Sequence, residues 1–395
     1  MLAEALAAAG HYVTWWVSGF NHRTKQHRAT TPTSIQVSER LTIRLVPTSA
    51  YSQNISFARI RAEKKYATGV LKWAVNDIHP DVVMVSEPSL FYGSAALRTV
   101  DRTGASLILD TLDLWPEMFD IALPLRLQPY GRLIFAPLYA RRARKFGRAS
   151  AIISASRDYT DLSKRLAPHL PDDLVKTVYF GVHLDEFRAA MEGLGTLPPE
   201  VLLPREPNEV RLVFASTLGS NYDVQTILSA ATKLTEEHVH FRLYIAGTGP
   251  LESVIAEQSK PSIINRVHFL GNPDANTMAR IYSHCDIGIS GYVPGSKVTM
   301  PIKAFHYCAA GLAVVNSLTG EFQDLLDSSG AGVKYISGDV FSLVDAIVQF
   351  AQNPVRLADA RTASFELGKK FDAKLQYGLS VEVVEKVLAT RSAYS

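Results

Sequence analysis

The sequence has little of what marks disulfide-rich, metal-binding, membrane-spanning or nucleic-acid-binding proteins. It holds two cysteines, Cys285 and Cys308, and neither has a second ligand nearby at metal-binding spacing. No apolar run reaches the ~18 residues of a membrane span. The formal net charge is only +3 over 395 residues, which argues against a uniformly basic nucleic-acid binder. We therefore expect a globular, cytoplasmic protein.

What the sequence does contain is an alternation of short apolar runs and helical patterns. The pattern predicts helices over 57–76, 133–146, 224–234 and 381–389. It predicts strands over 11–17, 41–46, 81–85, 105–110 and 151–154 in the first half, and over 211–215, 241–246, 267–270, 287–289 and 313–316 in the second. Such alternation is typical of parallel sheets covered by helices.

A stretch rich in proline and glycine over 191–208 interrupts the alternation and predicts a linker. We therefore predict an α/β fold with two Rossmann-like, doubly wound domains that face each other across a cleft. The predicted parts are an N-terminal domain over 1–188, the linker over 189–209, a C-terminal domain over 210–375, and a final helix over 376–395 that packs back on the first domain. A doubly wound domain normally opens with a strand, and here the chain begins inside the first helix. The opening strand is therefore expected upstream, or is lacking.

The segment over 286–316 has the clearest signs of a phosphate-binding helix. Pro301 suits the first turn of this helix, Thr299 lies close to its cap, and Gly311 suits its end. The N-terminus of a helix leaves backbone N–H groups unpaired and carries partial positive charge. We therefore predict that this end of the helix holds a diphosphate.

Cationic side chains accompany the predicted helix. Lys303 and His306 are three residues apart, which predicts that they share a face, and Lys297 lies in the loop before. A cationic pocket would stabilise the negative charge that builds on a departing nucleoside diphosphate. A solvated lysine and a hydrogen-bonded histidine on an amphipathic helix are the alternative.

Two glycine turns follow predicted strands in the second half. Gly219 would let the backbone approach a ligand, and Ser220 and Asn221 would hydrogen-bond a phosphate or a sugar hydroxyl. Gly247 and Gly249 form a comparable turn that is not a full dinucleotide fingerprint. A purely structural role for such turns stays open.

Acidic side chains follow a predicted strand in the first half. Asp110, Asp113 and Glu117 lie at its carboxyl end, where ligands bind in such sheets. Asp113 and Glu117 are therefore candidates for contact with a substrate. The alternative is that Asp113 caps the next turn.

Two basic stretches lie in the first half, over 57–73 and 139–148. The second places five basic residues over about three helical turns. Usually such a run is a solvated face, but it also suits peripheral contact with an anionic membrane.

Together these segments resemble the large retaining glycosyltransferase family 4, of GT-B fold, over nearly the whole chain. The matching motifs, in the family's order, are Gly10-His-Tyr-Val-Thr14, Phe180-Gly-Val-His-Leu-Asp-Glu-Phe187 and the segments 246–252, 267–271 and 281–286. Segments 113–117 and 300–307 resemble a branch that builds bacterial surface polysaccharides. The sequence departs from the family at its two usual glutamates, which fall at Val298 and His306.

The resemblance implies an enzyme that moves a sugar from a nucleotide-diphosphate donor to a saccharide or lipid-linked saccharide, with retention. No metal or other cofactor is implied, and no Asp-x-Asp sequence occurs. The implied catalytic residues are Lys303, Lys297, Asp113 and Glu117. The implied donor-binding residues are Gly219, Ser220, Asn221, Gly247, Gly249, Thr299 and His306, with His306 at the ribose.

Two other functions fit the same patterns. A nucleotide-sugar epimerase or hydrolase would need acid–base groups around the sugar, for which Glu87, Asp113 and His183 are candidates. A non-catalytic homologue that acts as a binding partner would account for the replaced glutamates. No nucleic-acid partner is expected.

Overall fold

The computed structural model describes residues 2–53, 56–77, 79–89, 91–113, 115–117, 119, 123–124, 126–258 and 265–393. The chain forms two compact units. Unit 1 comprises residues 1–179 and 376–395, and unit 2 comprises residues 180–375. No helix in the described part of the chain is long and apolar enough to cross a membrane.

Unit 2 is built on a six-stranded parallel sheet. Its strands are β10 (Val210–Ala215), β11 (Phe241–Ala246), β12 (Val267–Phe269), β13 (Ile287–Ser290), β14 (Ala313–Asn316) and β15 (Gly332–Lys334). Their order in the sheet is β12-β11-β10-β13-β14-β15, which is the doubly wound arrangement. The strands are runs of buried apolar residues because helices cover both faces of a parallel sheet.

The helices of unit 2 alternate with these strands. They are α7 (Leu184–Glu192), α8 (Pro199–Leu202), α9 (Val224–Glu236), α10 (Glu252–Gln258), α11 (Ala275–Ser283), α12 (Ile302–Ala309), α13 (Glu321–Ser329), α14 (Val340–Ala351) and α15 (Pro354–Lys369). Asp223, Asp274 and Asp339 cap helices α9, α11 and α14 by accepting hydrogen bonds from backbone N–H groups. One large core joins the sheet to α9 and α14, with Phe214 and Phe350 among its buried side chains.

Unit 1 contains two larger sheets and one small hairpin. The first sheet joins β1 (Val13–Ser18) in parallel to β5 (Leu41–Val46), which pairs in antiparallel with β4 (Thr33–Ser38). The second is parallel, in the order β6 (Val82–Glu87), β7 (Ser106–Thr111), β8 (Ala151–Ser154) and β9 (Val175–Thr177). The short strands β2 (Phe20–Asn21) and β3 (Gln26–His27) form the hairpin.

Helices cover the parallel sheet of unit 1 on both faces. The helices of this unit are α1 (Leu2–Ala8), α2 (Phe57–Asp77), α3 (Tyr92–Thr103), α4 (Gly131–Ile134), α5 (Ala136–Phe146), α6 (Arg157–Leu166) and most of α16 (Ala373–Ala393). Val383, Val384 and Val387 of α16 pack on buried Ile108 and Ile153 of the sheet. The end of the chain is therefore part of the core of unit 1.

Three expectations about helices need correction. The helix predicted over 133–146 is two helices, because Pro137 lies in the first turn of α5 and cannot continue the preceding helix. The last helix runs from Ala373 to Ala393 rather than over 381–389. Helix α12 begins at Ile302, so Pro301 is its cap residue rather than part of its first turn, and no side chain caps the helix.

Candidate functional site

The sheet of unit 2 has a topological switch point between β10 and β13. These strands are neighbours in the sheet. The chain continues from β10 to β11 towards one edge of the sheet, and from β13 to β14 towards the other edge. A crevice forms at the carboxyl ends of strands at such a point, and ligands bind there. The segment after β10 and the segment after β13 meet through a bridge between Tyr222 and Tyr292.

Gly219 lies in the segment after β10, and the fold does not require a glycine there. Its φ lies outside the left-handed region, and an added Cβ would meet nothing nearer than Thr217 Oγ1 at 4.0 Å. Ser220 and Asn221 beside it are exposed. The loop therefore offers an open stretch of backbone and two polar side chains at the switch point.

Gly247 and Gly249, in contrast, are needed by the fold. Their φ angles are +134° and +154°, and added Cβ atoms would come within 1.7 Å of Ser216 O and 2.3 Å of Thr217 O. The loop after β11 therefore lies directly against the backbone of the loop after β10. This packing accounts for both glycines without a ligand, and their predicted contact with the donor stays a prediction.

Lys303 enters the interior of unit 2. Its Nζ lies 4.5 Å from the ring centroid of Phe214, 4.1 Å from that of Tyr222 and 4.9 Å from that of Tyr292. The Nζ is buried, and no hydrogen-bond partner for it occurs among the described residues. We call these three rings the aromatic box. Its ring faces attract a cation.

Burial sets the charge state of this lysine. Desolvation lowers the pKa of Lys303 well below its ordinary value of 10.5. The aromatic box offsets part of the cost of the charged form. The predicted contact between Lys303 and a diphosphate stays a prediction.

His306 has different neighbours from Lys303, although the two lie three residues apart on helix α12. Its Nδ1 lies 3.2 Å from the backbone oxygen of Ile302, one turn back in the same helix. Its ring centroid lies 5.9 Å from that of Phe187 on α7. Burial lowers the pKa of His306 below its ordinary 6.5. This environment is that of a packed, neutral histidine, and its contact with a ribose stays a prediction.

Lys297 is a solvent-exposed cation close in sequence to the start of α12. It is exposed in the loop between β13 and α12, next to the half-buried Val298 and Thr299. No ion pair of Lys297 occurs among the described residues. Lys297 is thus available to an anion at the carboxyl edge of the sheet.

In unit 1, Glu117 is held by an arginine that the sequence did not point to. Arg142 of α5 donates from Nη1 and Nη2 to its two carboxylate oxygens at 2.6 and 2.7 Å. Arg142 Nη1 also donates to Trp115 O at 2.8 Å. These bonds connect Trp115 and Glu117 to α5. Asp113 is half-buried in the same segment, and roles for both in acceptor binding stay predictions.

Asp110, the residue before the end of β7, has an unusual environment. Burial raises its pKa to about 6, against the opposing effect of the Ser86 hydroxyl, which donates to Oδ2 at 3.3 Å. A carboxyl group with a pKa near neutrality suits proton transfer. A raised carboxyl pKa also occurs at purely structural positions, so Asp110 is one candidate for proton transfer and no assignment is made.

The three rings of the aromatic box and Arg142, which binds the predicted site residue Glu117, were not among the predicted site residues. One signal was present in the sequence, because Tyr222 and Tyr292 each lie in the loop that follows a predicted buried strand. Their meeting depends on β10 and β13 being neighbours. Within the described part of the chain, no cluster of three or more histidine, cysteine, aspartate or glutamate side chains could hold a metal ion.

Comparison with known proteins places this geometry in a family context. Residues 209–353 match the family model described as glycosyl transferases group 1. The matched segment covers the sheet of unit 2 together with Gly219, Lys297, Lys303 and His306. No curated protein sequence matches the chain.

Solved structures share the fold at low sequence identity. Sucrose-phosphate synthase from Thermosynechococcus elongatus aligns with a TM-score of 0.74 and 15% identity, over 98% of this chain and 92% of that one. A glycosyltransferase from Rickettsia africae has a TM-score of 0.60 and 13% identity, over 88% and 85%. Anabaena HepE in complex with UDP has a TM-score of 0.57 and 14% identity, over 89% and 86%.

These findings confirm the predicted α/β fold and support the predicted class of enzyme. The chain has the fold of GT-B glycosyltransferases, and residues 209–353 of its second unit are similar to the family described as glycosyl transferases group 1.

Proposed function

We propose that this protein is a retaining glycosyltransferase that takes its sugar from a nucleotide-diphosphate donor bound by unit 2. The observation that carries the proposal is the open loop at the switch point, where Gly219 leaves the backbone free and Ser220 and Asn221 are exposed. This loop lies inside the segment that matches the family. HepE structures contain UDP or UDP-glucose, which supports the same class of donor here.

The start of α12 is our candidate for the diphosphate. No side chain caps this helix. The N–H of Ala304 donates to Pro301 O, and we assign the N–H groups of Ile302 and Lys303 to an anion. Lys297 adds a positive charge in the preceding loop. Negative charge builds on the diphosphate as the glycosidic bond breaks, and these groups would stabilise that charge in the transition state.

Retention needs no dedicated base in this scheme. The departing phosphate oxygen accepts the proton of the acceptor hydroxyl while the new bond forms on the face that it leaves. Asp113 is our candidate for orienting that hydroxyl. We place the enzyme in family 4 and propose that it acts without a metal ion, so its assay is run in EDTA.

We propose a saccharide or lipid-linked saccharide acceptor and a role in bacterial surface polysaccharide synthesis, at the cytoplasmic face of the membrane. Phe57 is 86% exposed at the start of α2, and Arg61, Lys64 and Lys65 follow it on the exposed part of the helix. An exposed aromatic side chain beside basic groups suits shallow contact with anionic lipid.

The basic stretch over 139–148 contributes less charge than its composition indicates. Arg142 pairs with Glu117, Lys145 with Glu87, and Arg148 with Asp101. Arg141 and Arg144 are the two exposed basic residues of this stretch without an ion pair among the described residues. We therefore assign the membrane contact to α2.

The test is a thermal-shift screen with UDP, GDP and TDP, followed by product analysis with the matching sugar donors. Ligands that bind the native state raise its melting temperature. A shift with one base, and transfer to an acceptor with the anomeric configuration retained by NMR, would support the proposal. No shift with any of the three would contradict it.

The same experiment separates the alternatives. A putative UDP-N-acetylglucosamine 2-epimerase from Listeria monocytogenes shares the fold, with a TM-score of 0.53 and 12% identity, over 83% of this chain and 78% of that one. The fold therefore does not decide the reaction. Free epimer or free sugar formed without acceptor would favour an epimerase or hydrolase. Donor binding without any turnover would favour a non-catalytic partner.

A further inference from the structure

A cavity of about 340 Å³ lies at the amino edge of the parallel sheet of unit 1. It is bounded by Ser106 at the start of β7, by Ser150 just before β8 and by the last turns of α16. The volume is within the usual range for small-molecule sites, roughly 300 to 1,000 Å³. Substrates bind at the carboxyl edge of such sheets, so this cavity is at the opposite edge from any substrate site of the unit.

The cavity forms because the packing between α16 and the sheet changes from apolar to polar at this edge. Val387 of α16 belongs to the core that also contains Ile108 of β7. One turn further along the helix, the positions on the same side are Thr390 and Arg391. Two residues back along β7, the face that carries Ile108 carries Ser106. These three polar side chains line the cavity instead of closing it.

Arg391 is held in place at the wall of the cavity. Its Nη1 donates to Asp81 O at 3.0 Å and to Gly104 O at 2.7 Å, which fixes the guanidinium group beside the starts of β6 and β7. Among the described residues that line the cavity, Arg391 carries a charge and none is acidic. The lining therefore favours an anionic ligand over a neutral or cationic one.

Two serine hydroxyl groups add hydrogen-bond donors. Ser150 Oγ accepts a hydrogen bond from Leu107 N at 3.3 Å, and its own hydroxyl hydrogen has no partner among the described residues. The Ser106 hydroxyl makes no hydrogen bond in the described part of the chain. Thr390 Oγ1, in contrast, donates to Lys386 O at 2.9 Å within its own helix. Serine hydroxyls beside a guanidinium group are common ligands of phosphate oxygens.

The remaining wall of the cavity is apolar. Val387 is buried and Leu174 is half-buried, and both line the cavity. Even at the roughly 30 Å³ that a water molecule occupies, taken for each heavy atom, a phosphate group fills less than half of the cavity. An organic group attached to the phosphate therefore has room to pack on these two side chains.

We propose that this cavity binds a small organic phosphate, with the phosphate on Arg391, Ser106 and Ser150 and the organic group on Val387 and Leu174. The bound molecule would connect the end of α16 to the starts of β7 and β8. Helix α16 begins in unit 2 and ends in unit 1. A ligand at its end therefore acts on the helix through which the chain passes from one unit to the other, which makes the cavity an effector site, whatever reaction the protein catalyses.

The test is calorimetric titration with glucose 6-phosphate and ribose 5-phosphate, and with glucose, ribose and inorganic phosphate for comparison. We expect at least one sugar phosphate to bind about tenfold tighter than both its neutral sugar and inorganic phosphate. Thr390→Trp fills the cavity and should abolish this binding, and Arg391→Gln should weaken it about tenfold. Ala389→Trp and Arg98→Gln, at exposed positions that do not line the cavity, are the matched controls and should bind as the unaltered protein does.

A second measurement locates the ligand without relying on a bulky substitution. Hydrogen exchange of the amides of α16 should slow in its last turns when the sugar phosphate is added, and Ser106→Ala should reduce that protection severalfold. The inference is overturned if no sugar phosphate binds more tightly than its neutral sugar, if Thr390→Trp and Ala389→Trp bind alike, or if the exchange of α16 does not change.

Nucleoside diphosphate binding is measured in parallel on every variant, because the proposed donor loop lies in unit 2. Thr390→Trp and Arg391→Gln should leave it unchanged. Loss of sugar phosphate binding with intact nucleotide binding in these two variants supports the effector site. Sugar phosphate binding that nucleoside diphosphate displaces from the unaltered protein places the sugar phosphate in the donor site and overturns the inference.

Discussion

The Nζ of Lys303 lies 4.1 Å from the centroid of the Tyr222 ring, inside the aromatic box. Tyr222 and Tyr292 pair through their backbones, and their rings lie 4.9 Å apart. The two loops at the switch point are therefore paired through their tyrosines, and both tyrosine rings contact Lys303 in the first turn of α12. The charge state of Lys303 should therefore affect the free energy of unfolding of the protein.

Replacing Lys303 with methionine should stabilise the protein near pH 7. The pKa of Lys303 is lower in the folded than in the unfolded state, so the unfolded chain binds more protons, and the stability of the unaltered protein rises with pH towards 10.5. Lys303→Met removes a buried amine without a hydrogen-bond partner, and we expect a gain of about 1–3 kcal/mol in unfolding free energy. Urea unfolding at pH 7 and pH 10 measures it.

The gain should shrink as the pH rises towards 10.5, because the Lys303 amine of the unaltered protein is then largely uncharged in the unfolded state as well as in the folded state. Lys369→Met, which removes a surface lysine on α15, is the control and should change stability little at either pH. A loss of stability with Lys303→Met at pH 7 would show that the ammonium ion on the aromatic box is stabilising instead.

Asp110→Asn should also stabilise the protein at pH 7. The raised pKa of Asp110 means that the folded state holds its proton more firmly, so the carboxyl group contributes its full stability below about pH 4. That contribution is lost as the pH rises through about 6. We expect the variant to gain roughly 1–3 kcal/mol at pH 7 and nothing at pH 4.

Denaturant unfolding between pH 4 and pH 8 checks this dependence. Asp359→Asn, an exposed position on α15, serves as the control. A difference between Asp110→Asn and the unaltered protein that does not vary over this pH range would contradict the proposed environment of the carboxyl group.

Lys297→Met should slow transfer without affecting the fold. Lys297 is exposed, and we assign it to the departing diphosphate. Loss of a charge-assisted contact costs about 1.5–3 kcal/mol, so kcat/KM should fall about tenfold to a hundredfold. Steady-state kinetics with saturating acceptor measures this fall, and an unchanged melting temperature shows that the fold is intact. Activity equal to that of Lys369→Met would remove Lys297 from the site.

Phe57→Ser should weaken membrane contact. Phe57 is exposed and precedes the basic side chains of α2. We expect co-sedimentation of the unaltered protein with vesicles that contain anionic lipid, less with neutral vesicles, and a severalfold loss for Phe57→Ser. Leu202→Ser, an exposed apolar position in unit 2, is the matched control. Equal sedimentation of both variants would exclude α2 as the contact.

Ten strands of the described chain could be predicted from the sequence, because most of them are short, buried apolar runs. Strands β2, β3, β9 and β15, which have only two or three residues each, were not predicted. Strand β4 was missed, since all but one of its side chains are exposed and it lies at the edge of its sheet. The break between α4 and α5 depends on one proline, Pro137, inside an otherwise helical pattern. Local pattern thus identifies buried elements better than exposed edges.

The candidate site was harder to predict, because the positions of residues along the sequence do not show which side chains and loops are close in space. Gly219 and Gly247 look alike in sequence, but an added Cβ would meet open space at the first and the backbone of Ser216 at the second. The spacing of Lys303 and His306 did not show that Lys303 contacts the aromatic box while His306 contacts Phe187 of α7. Such differences appear only when the strand order is known.

The most direct test of the account is calorimetric titration of nucleoside diphosphates into the unaltered protein, Gly219→Val and Gly378→Ala. Both glycines have ordinary φ angles and room for a Cβ, but Gly378 belongs to α16 of unit 1 and not to the switch-point loop. The account predicts that one nucleoside diphosphate binds the unaltered protein and Gly378→Ala equally, and binds Gly219→Val at least about tenfold more weakly at an unchanged melting temperature. Equal binding by Gly219→Val, or no binding to the unaltered protein, would contradict it.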